Sequence, residues 1–133
     1  MDAASALADL TEISSQVEAA AVVDADGAVL GSTLSGEPAT NRLVQAGVGL
    51  LDAATSRFGS ASRSVTELEA ALRQGSIFVV SENGLGIVAR TTAGPTSRLV
   101  LYDLRTCLRA VAETRKKPKP RRRAAKKTER ADA

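Results

Sequence analysis

The stretch best suited to chemistry is Asp24-Ala25-Asp26-Gly27, where two carboxylates and a glycine fall within four positions. A helix–loop–helix calcium loop needs oxygen ligands at positions 1, 3 and 5, a glycine at 6 and a glutamate at 12. Counted from Asp24, positions 5, 6 and 12 are an alanine, a valine and a serine, so the ligand set is incomplete. The stretch therefore predicts a tight turn between two strands and no metal site.

Other catalytic chemistries lack the residues that they need. The chain contains no histidine, which excludes His-based triads and imidazole metal sites. Cys107, the single cysteine, falls among apolar residues at helical spacing, so we expect a buried structural thiol. Neither Ser35–Asn41 nor Gly84–Gly86 follows a phosphate-loop pattern, and every lysine lies beyond residue 114. The remaining carboxylates have no base or ligand set beside them in the sequence, among them Glu67, Glu69 and Glu82. We predict no enzyme activity, no catalytic residue, no cofactor and no metal.

Length and cysteine content bound the class of protein. A chain of 133 residues holds one domain and at most a tail. It has no run of 18 apolar residues, so no transmembrane segment is expected. The first residues lack a basic region ahead of an apolar segment, so no signal peptide is expected. A lone cysteine cannot form an internal disulfide, which favours the reducing cytoplasm.

Charge divides the chain into two parts. Residues 1–114 carry thirteen acidic and eight basic side chains, a net charge of −5, whereas residues 115–133 carry ten basic and two acidic ones, a net charge of +8. This pattern predicts an acidic globular domain over 1–114 and a disordered basic tail over 115–133. A nucleic acid or an acidic membrane surface is one partner for the tail, without sequence reading because no aromatic residue is interleaved. Alternatively, the tail folds onto the acidic domain or a partner's acidic face, or has no specific role. The predicted polyanion-binding residues are Arg115, Lys116, Lys117, Lys119, Arg121, Arg122, Arg123, Lys126 and Lys127.

Hydrophobic periodicity predicts the elements that carry these residues. Residues 63–72 remain ambiguous, because TELEAAL has the composition of a helix while Val65 and the residues after it suit a strand. The order is helix, hairpin, helix, strand, hairpin, helix, an α+β layer sandwich on an antiparallel sheet. The expected bounds are a helix over 3–17, strands over 19–24 and 28–33, a helix from 38 to about 57, strands over 76–80 and 85–91, and a final helix from 96 or 97.

The second helix is apolar almost all round. Its own sheet covers one face, so a second apolar face needs another cover, and in a domain of this size we expect another subunit. Gly47 and Gly49 each cost up to about 1 kcal/mol of helix propensity relative to alanine. Close approach of another backbone explains them, and so does simple tolerance of glycine in a well-buried helix.

Several segments together resemble a roadblock/dynein-light-chain domain over about residues 3–112. They are the helix ahead of AAAVVDADGAVLGST, the apolar second helix, the run GSIFVVSENGLGIVART and the closing RLVLYDLRTCLRAV. The resemblance implies a five-stranded antiparallel sheet between the middle helix on one face and the two terminal helices on the other. It also implies that residues 63–72 are mainly the third strand.

The resemblance further implies a dimer, with itself or with a paralogue, through the middle helix and the third strand. The predicted interface residues are Leu43, Ala46, Gly47, Leu50 and Val65. Bacterial and archaeal members of the family act beside small Ras-like GTPases, so the resemblance predicts a non-enzymatic dimeric regulator or scaffold of such a GTPase. The alternative hypothesis is a protein that associates with nucleic acid or another polyanion through paired basic tails.

Overall fold

The computed structural model describes residues 1–60 and 64–116, within which three helices and five strands follow one another. The strands form one antiparallel sheet in the order β2-β1-β5-β4-β3. In chain order the elements are α1 (Ala3–Ile13), β1 (Val17–Asp24), β2 (Val29–Ser32), α2 (Glu37–Phe58), β3 (Glu67–Leu72), β4 (Gly75–Glu82), β5 (Leu85–Thr91) and α3 (Ser97–Lys116). One face of the sheet packs against α2 and the other against α1 and α3, so the predicted fold class is confirmed.

The central strands β1 and β5 are buried on both faces because successive side chains point to opposite sides of a sheet. In β1, Ala20 and Val22 belong to the core beneath α1 and α3, whereas Ala21 and Val23 belong to the core beneath α2. The first core is the larger, and Phe78 is fully buried within it. Burial on both faces explains why these strands read as continuous apolar runs in the sequence.

The first helix ends earlier than its periodicity predicts. The expected helix over 3–17 stops at Ile13, and the extended residue Ser14 donates its N–H to the carbonyl of Leu10. Val17, which the spacing places on the helical stripe, is instead the first residue of β1. Ile13 is 63% exposed, so the buried face of α1 is formed by residues nearer its start, namely Ala3, Ala6, Leu7 and Leu10. A spacing of four residues does not distinguish a further helical turn from the start of the next strand.

Residues 67–72 form a strand despite their helix-like composition. β3 pairs with β4 in an unbroken register that runs from Glu67 opposite Val80 to Leu72 opposite Gly75. Leu68 packs against the core beneath α2. Pairing and burial outweigh a helix propensity that differs by less than about 1 kcal/mol per residue. The strand that the family resemblance implies is therefore confirmed from Glu67 onward, while positions 61–63 lie outside the described residues.

The hairpin predicted at Asn83-Gly84 is confirmed. Both residues have positive φ, 54° and 76°, as a two-residue turn that matches the twist of its strands requires. Leu85, just after this turn, pairs with Asp24 at the end of β1, so the β4–β5 and β1–β2 turns lie at the same end of the sheet. The last helix begins at Ser97, as predicted, and continues to Lys116.

Candidate interaction surface

The covered side of α2 contains two of the residues predicted for a dimer contact. Leu43 is 5% exposed and packs in the core beneath α2. Gly47 also faces the sheet, because a Cβ built on it would lie 2.4 Å from Cγ1 and 2.5 Å from Cγ2 of Val88 in β5. The missing side chain of Gly47 thus lets α2 approach the chain's own sheet. Leu43 and Gly47 offer little surface to a partner.

A second side of α2 carries small and apolar residues that remain uncovered. Ala46 and Ala53 are exposed and Leu50 is half-buried, at spacings of four and three that place them on one side of the helix. We call these three residues the α2 stripe. The fully buried positions of α2 end at Gly47, and Phe58 in its last turn is 73% exposed. Covering apolar surface of this kind is favourable by about 25 cal/mol per Å².

The edge of the sheet at β3 is open in the part of the chain that the structure describes. β3 is the terminal strand and pairs only with β4, so its outer edge presents unpaired backbone groups to a further strand. Val65, the fifth predicted interface residue, lies just ahead of β3 and is half-buried. Leu72, at the other end of β3, is 63% exposed.

On the face of the sheet opposite α2, side chains of α3 form ion pairs with β3 and β4, the two strands at this edge. Arg109 donates two hydrogen bonds to Glu82 of β4, from Nε to Oε1 at 3.0 Å and from Nη2 to Oε2 at 2.9 Å. Arg105 pairs with Glu67 of β3. The hydrogen bonds from Arg109 are the largest cause of the lowered pKa of Glu82. Pairs that remain this accessible to water contribute at most about 1 kcal/mol each, so their main effect is to orient α3 on the edge strands.

Sequence reasoning missed these contacts because the partners are far apart along the chain. Glu69, which the sequence leaves without a partner, accepts a hydrogen bond from Ser97 Oγ at 2.9 Å. The sequence nevertheless contains two charge patterns that are compatible with these contacts. Glu67 and Glu69 share one face of a strand, and Arg105 and Arg109 lie one turn apart on a helix. With the topology known, these two charge patterns would have indicated pairing between α3 and β3.

The Asp24–Gly27 stretch forms the turn between β1 and β2, as predicted. Oδ1 of Asp24 accepts the N–H of Asp26 at 2.9 Å and the N–H of Ala28 at 3.0 Å. Gly27 adopts a φ of 87°, which closes the turn. Across residues 1–60 and 64–116, no group of three or more acidic or cysteine side chains is arranged to hold a metal ion.

A cleft of about 440 Å³ opens between this turn, the Asn83-Gly84 turn and one flank of α2. Among the residues that the structure describes, its lining includes the carboxylate residues Asp24, Asp26 and Asp52 and no basic residue. None of the three aspartates forms a salt bridge within the described part of the chain. We call this feature the acidic cleft. Its apolar walls come from Val23, Val48, Leu51 and Leu85.

Cys107 lies in the core between α1 and α3 and is 5% exposed. Burial raises the pKa of its thiol to about 11, with a smaller contribution from the charge of Asp9. The thiol is therefore neutral and a poor nucleophile near pH 7. The prediction of a buried structural thiol is confirmed.

Most of the predicted polyanion-binding residues lie outside the described residues. Arg115 and Lys116 belong to the last turn of α3, and the other seven follow beyond it. The domain boundary and the tail therefore stay predictions. Within the described ranges, no helix is both long and apolar enough to cross a membrane.

A lone middle helix on one face of a five-stranded antiparallel sheet, with the terminal helices on the other, defines the fold of the roadblock/LC7 class. The Roadblock/LC7 domain from Streptomyces avermitilis is similar to this chain with a TM-score of 0.73 and 16% identity, over 86% of this chain and 98% of that one. The gliding protein MglB from Thermus thermophilus is similar with a TM-score of 0.66 and 16% identity, over 84% and 86% of the two chains. An MglB with a tetrameric arrangement reaches a TM-score of 0.61 at 12% identity, over 84% and 85%. Neither a protein-family model nor a curated protein sequence matches the chain.

Proposed function

We propose that this chain is a non-enzymatic regulator or scaffold of a small Ras-like GTPase and that it acts as a dimer in the cytoplasm. The observation that carries the proposal is the α2 stripe, an exposed apolar strip on a helix whose opposite side is already packed. Support for the GTPase comes from the sequence resemblance to the roadblock family, whose bacterial members act beside such switches. The fold shared with MglB agrees with that resemblance.

The dimer would use the α2 stripe and the β3 edge together. Ala46 and Ala53 are small, so two copies of α2 can approach closely around Leu50. Pairing of two β3 edges would extend one sheet into a continuous sheet across both copies. A two-fold contact of this kind uses the same surface on each subunit. The partner is therefore either a second copy of this chain or a paralogue with a similar surface.

A regulator built this way would act by positioning the catalytic residues of the GTPase itself. Cys107 is buried and neutral, and Glu67, Glu69 and Glu82 are engaged by α3, so these four groups are not placed for proton transfer. Small GTPases carry their own phosphate-binding and water-orienting residues, and a partner can accelerate hydrolysis by ordering them. We therefore assign this chain a rigid docking surface and no catalytic residue.

The mass of the 133-residue chain in solution tests the dimer. Light scattering should give twice the 13.8 kDa of one chain for the wild type and the mass of one chain for Ala46→Glu, which places a charge on the α2 stripe. Gln45→Glu is the matched control, because it adds the same charge at the neighbouring exposed position off the stripe. A dimer that survives Ala46→Glu would refute this interface. Gly47→Glu would be a poor test, since its side chain would collide with Val88.

Capture from native cell extract tests the GTPase partner. The wild type and Gln45→Glu should enrich a Ras-like GTPase, identified by mass spectrometry, in extract loaded with either GDP or a non-hydrolysable GTP analogue. Its rate of GTP hydrolysis is then measured with and without this chain, which separates an activator from a scaffold. If no GTPase is enriched in either nucleotide state, the proposal fails. A chain ending after Lys116 shows whether the basic tail contributes.

A further inference from the structure

We propose that the basic segment 117–123, Lys-Pro-Lys-Pro-Arg-Arg-Arg, extends to the acidic cleft of its own chain and binds it through the arginines at 121–123. This inference does not depend on the GTPase proposal. It assigns an occupant to a cleft that no spacing in the sequence indicates, and one target to a tail for which the sequence allows several.

The acidic cleft and the basic segment carry complementary charges. Three aspartates line the cleft, no basic residue lines it, and none of the three is engaged in a salt bridge among the described residues. Segment 117–123 carries five positive charges and no negative one. Guanidinium and ammonium groups form their strongest hydrogen bonds with carboxylates, and their aliphatic stems pack against apolar walls such as Val48 and Leu51.

The tail begins at the end of the sheet where the acidic cleft lies. Arg109 is hydrogen-bonded to Glu82, the last residue of β4 before the Asn83-Gly84 turn, so α3 points its C-terminal end toward the end of the sheet that carries both turns. Arg115, the next-to-last residue of α3, lines a cavity together with Leu30 of β2. The acidic cleft lies at this same end of the sheet, on the face that α2 covers.

The basic segment is long enough to extend from the end of α3 to the acidic cleft. Crossing from a helix on one face of a sheet to a helix on the other spans roughly 20 Å, since layers pack about 10 Å apart. An extended chain covers about 3.3–3.6 Å per residue, so six or seven residues after Lys116 suffice. That length ends within the arginine triplet 121–123. The prolines at 118 and 120 lower the number of conformations lost when the segment binds.

A spin label on the tail of the intact chain tests this contact. The label is attached to Ala124→Cys, and Cys107 stays unlabelled near pH 7 because it is buried and its thiol is neutral. When the tail is bound to the cleft, the nearby label should remove more than half of the amide NMR signal of Asp26, Gly27 and Asp52. The signals of Thr92 and Ala93, at the opposite end of the sheet, should remain largely intact. Signal loss spread evenly over the domain would overturn the proposal.

Charge variants locate the contact within the domain. Asp26→Asn/Asp52→Asn should restore most of the lost signal, because it removes two of the three cleft carboxylates. The matched control is Glu12→Gln/Glu113→Gln, which removes two exposed charges outside the cleft and should leave the signal loss unchanged. Equal recovery in both pairs would mean that net charge alone attracts the tail, and would refute the cleft as its site. Raising the salt to 1 M, where the screening length falls to about 3 Å, should have the same effect as the aspartate pair.

A mixing experiment separates the chain's own tail from that of a second copy. Isotope-labelled chain without the spin label is mixed with unlabelled chain that carries it. The proposal expects no signal loss at Asp26 and Gly27 in this mixture. A loss of amide signal at these residues as strong as in the chain that carries both the isotope label and the spin label would assign the cleft to the tail of a neighbouring copy. That result would overturn the proposal.

Discussion

Two glycines of α2, Gly47 and Gly49, should respond to alanine in opposite directions. A Cβ on Gly47 would lie 2.4–2.5 Å from both methyl carbons of Val88, whereas a Cβ on Gly49 would meet nothing within 4 Å. Carbon atoms prefer a separation of about 3.5–4.0 Å, so the first substitution requires α2 or β5 to move. Val88 is 1% exposed in a central strand and has a restricted side chain, which leaves it little room.

The magnitudes follow from two opposing effects. Glycine to alanine gains about 1 kcal/mol of helix propensity at either position. Overpacking of a well-filled core costs about 1–3 kcal/mol. We expect Gly49→Ala to raise the free energy of unfolding by about 0.5–1 kcal/mol and Gly47→Ala to lower it by up to about 2 kcal/mol. For a domain of this size, each kcal/mol corresponds to a change of roughly 4 °C in Tm.

Urea unfolding followed by circular dichroism measures both changes. Repeating the measurement at several protein concentrations separates folding stability from dimer formation, which matters because Gly49 lies beside the α2 stripe. The double variant Gly47→Ala/Val88→Ala should be more stable than the sum of the two single losses predicts, since the smaller partner relieves the collision. If Gly47→Ala stabilises the protein as much as Gly49→Ala does, the close approach of α2 to β5 is refuted.

Two further predictions concern ionisable groups. Because burial raises the pKa of Cys107 to about 11, iodoacetamide should modify the native protein far more slowly at pH 8 than the protein unfolded in urea, as intact mass spectrometry would show; equal rates would contradict its burial. The pKa of Glu82 is lowered in the folded state, so the stability it contributes is present above its ordinary value of 4.5 and disappears as the pH falls through its folded pKa. Glu82→Gln should therefore lower the free energy of unfolding at pH 7 by at most about 1 kcal/mol. The loss should shrink as the pH is lowered from 7 through the folded pKa of Glu82, and a loss that stays constant with pH would exclude the ion pair with Arg109 as its cause.

Local patterns were sufficient to predict most elements of the fold. The Asn83-Gly84 hairpin follows from backbone preferences that act within two residues, and the Asp24–Gly27 turn from side-chain hydrogen bonds that act within four. The end of α1 could not be read in the same way, because Val17 continues the spacing of the helix although it begins a strand. The strand β3 also needed more than local information, since only its register with β4 overrides the helix-like composition.

The orientation of α2 could not be predicted from its sequence. A helix that is apolar almost all round gives no preferred side, so the sequence predicts Leu43 and Gly47 as contact residues together with Ala46 and Leu50. The packing of α2 on the sheet shows which side of the helix is covered. Residue 47 lies directly above Val88, where a glycine fits and a larger side chain would collide. Likewise, the acidic cleft joins Asp52 to the β1–β2 turn only after folding, and no spacing in the sequence links these positions.

The two proposed contacts occupy different flanks of α2 and should not compete. Successive residues of an α-helix are separated by about 100°, so Ala46 and Leu50 lie about 40° apart, whereas Asp52 lies about 120° from Ala46. A partner copy on the α2 stripe therefore leaves the flank that lines the acidic cleft free. Ala46→Glu should abolish the dimer while the tail stays in the cleft, and Asp26→Asn/Asp52→Asn should release the tail while the dimer keeps its mass. A dimer lost with the aspartate pair would show that the tail helps to hold the subunits together, and the two contacts would then have to be treated as one interface.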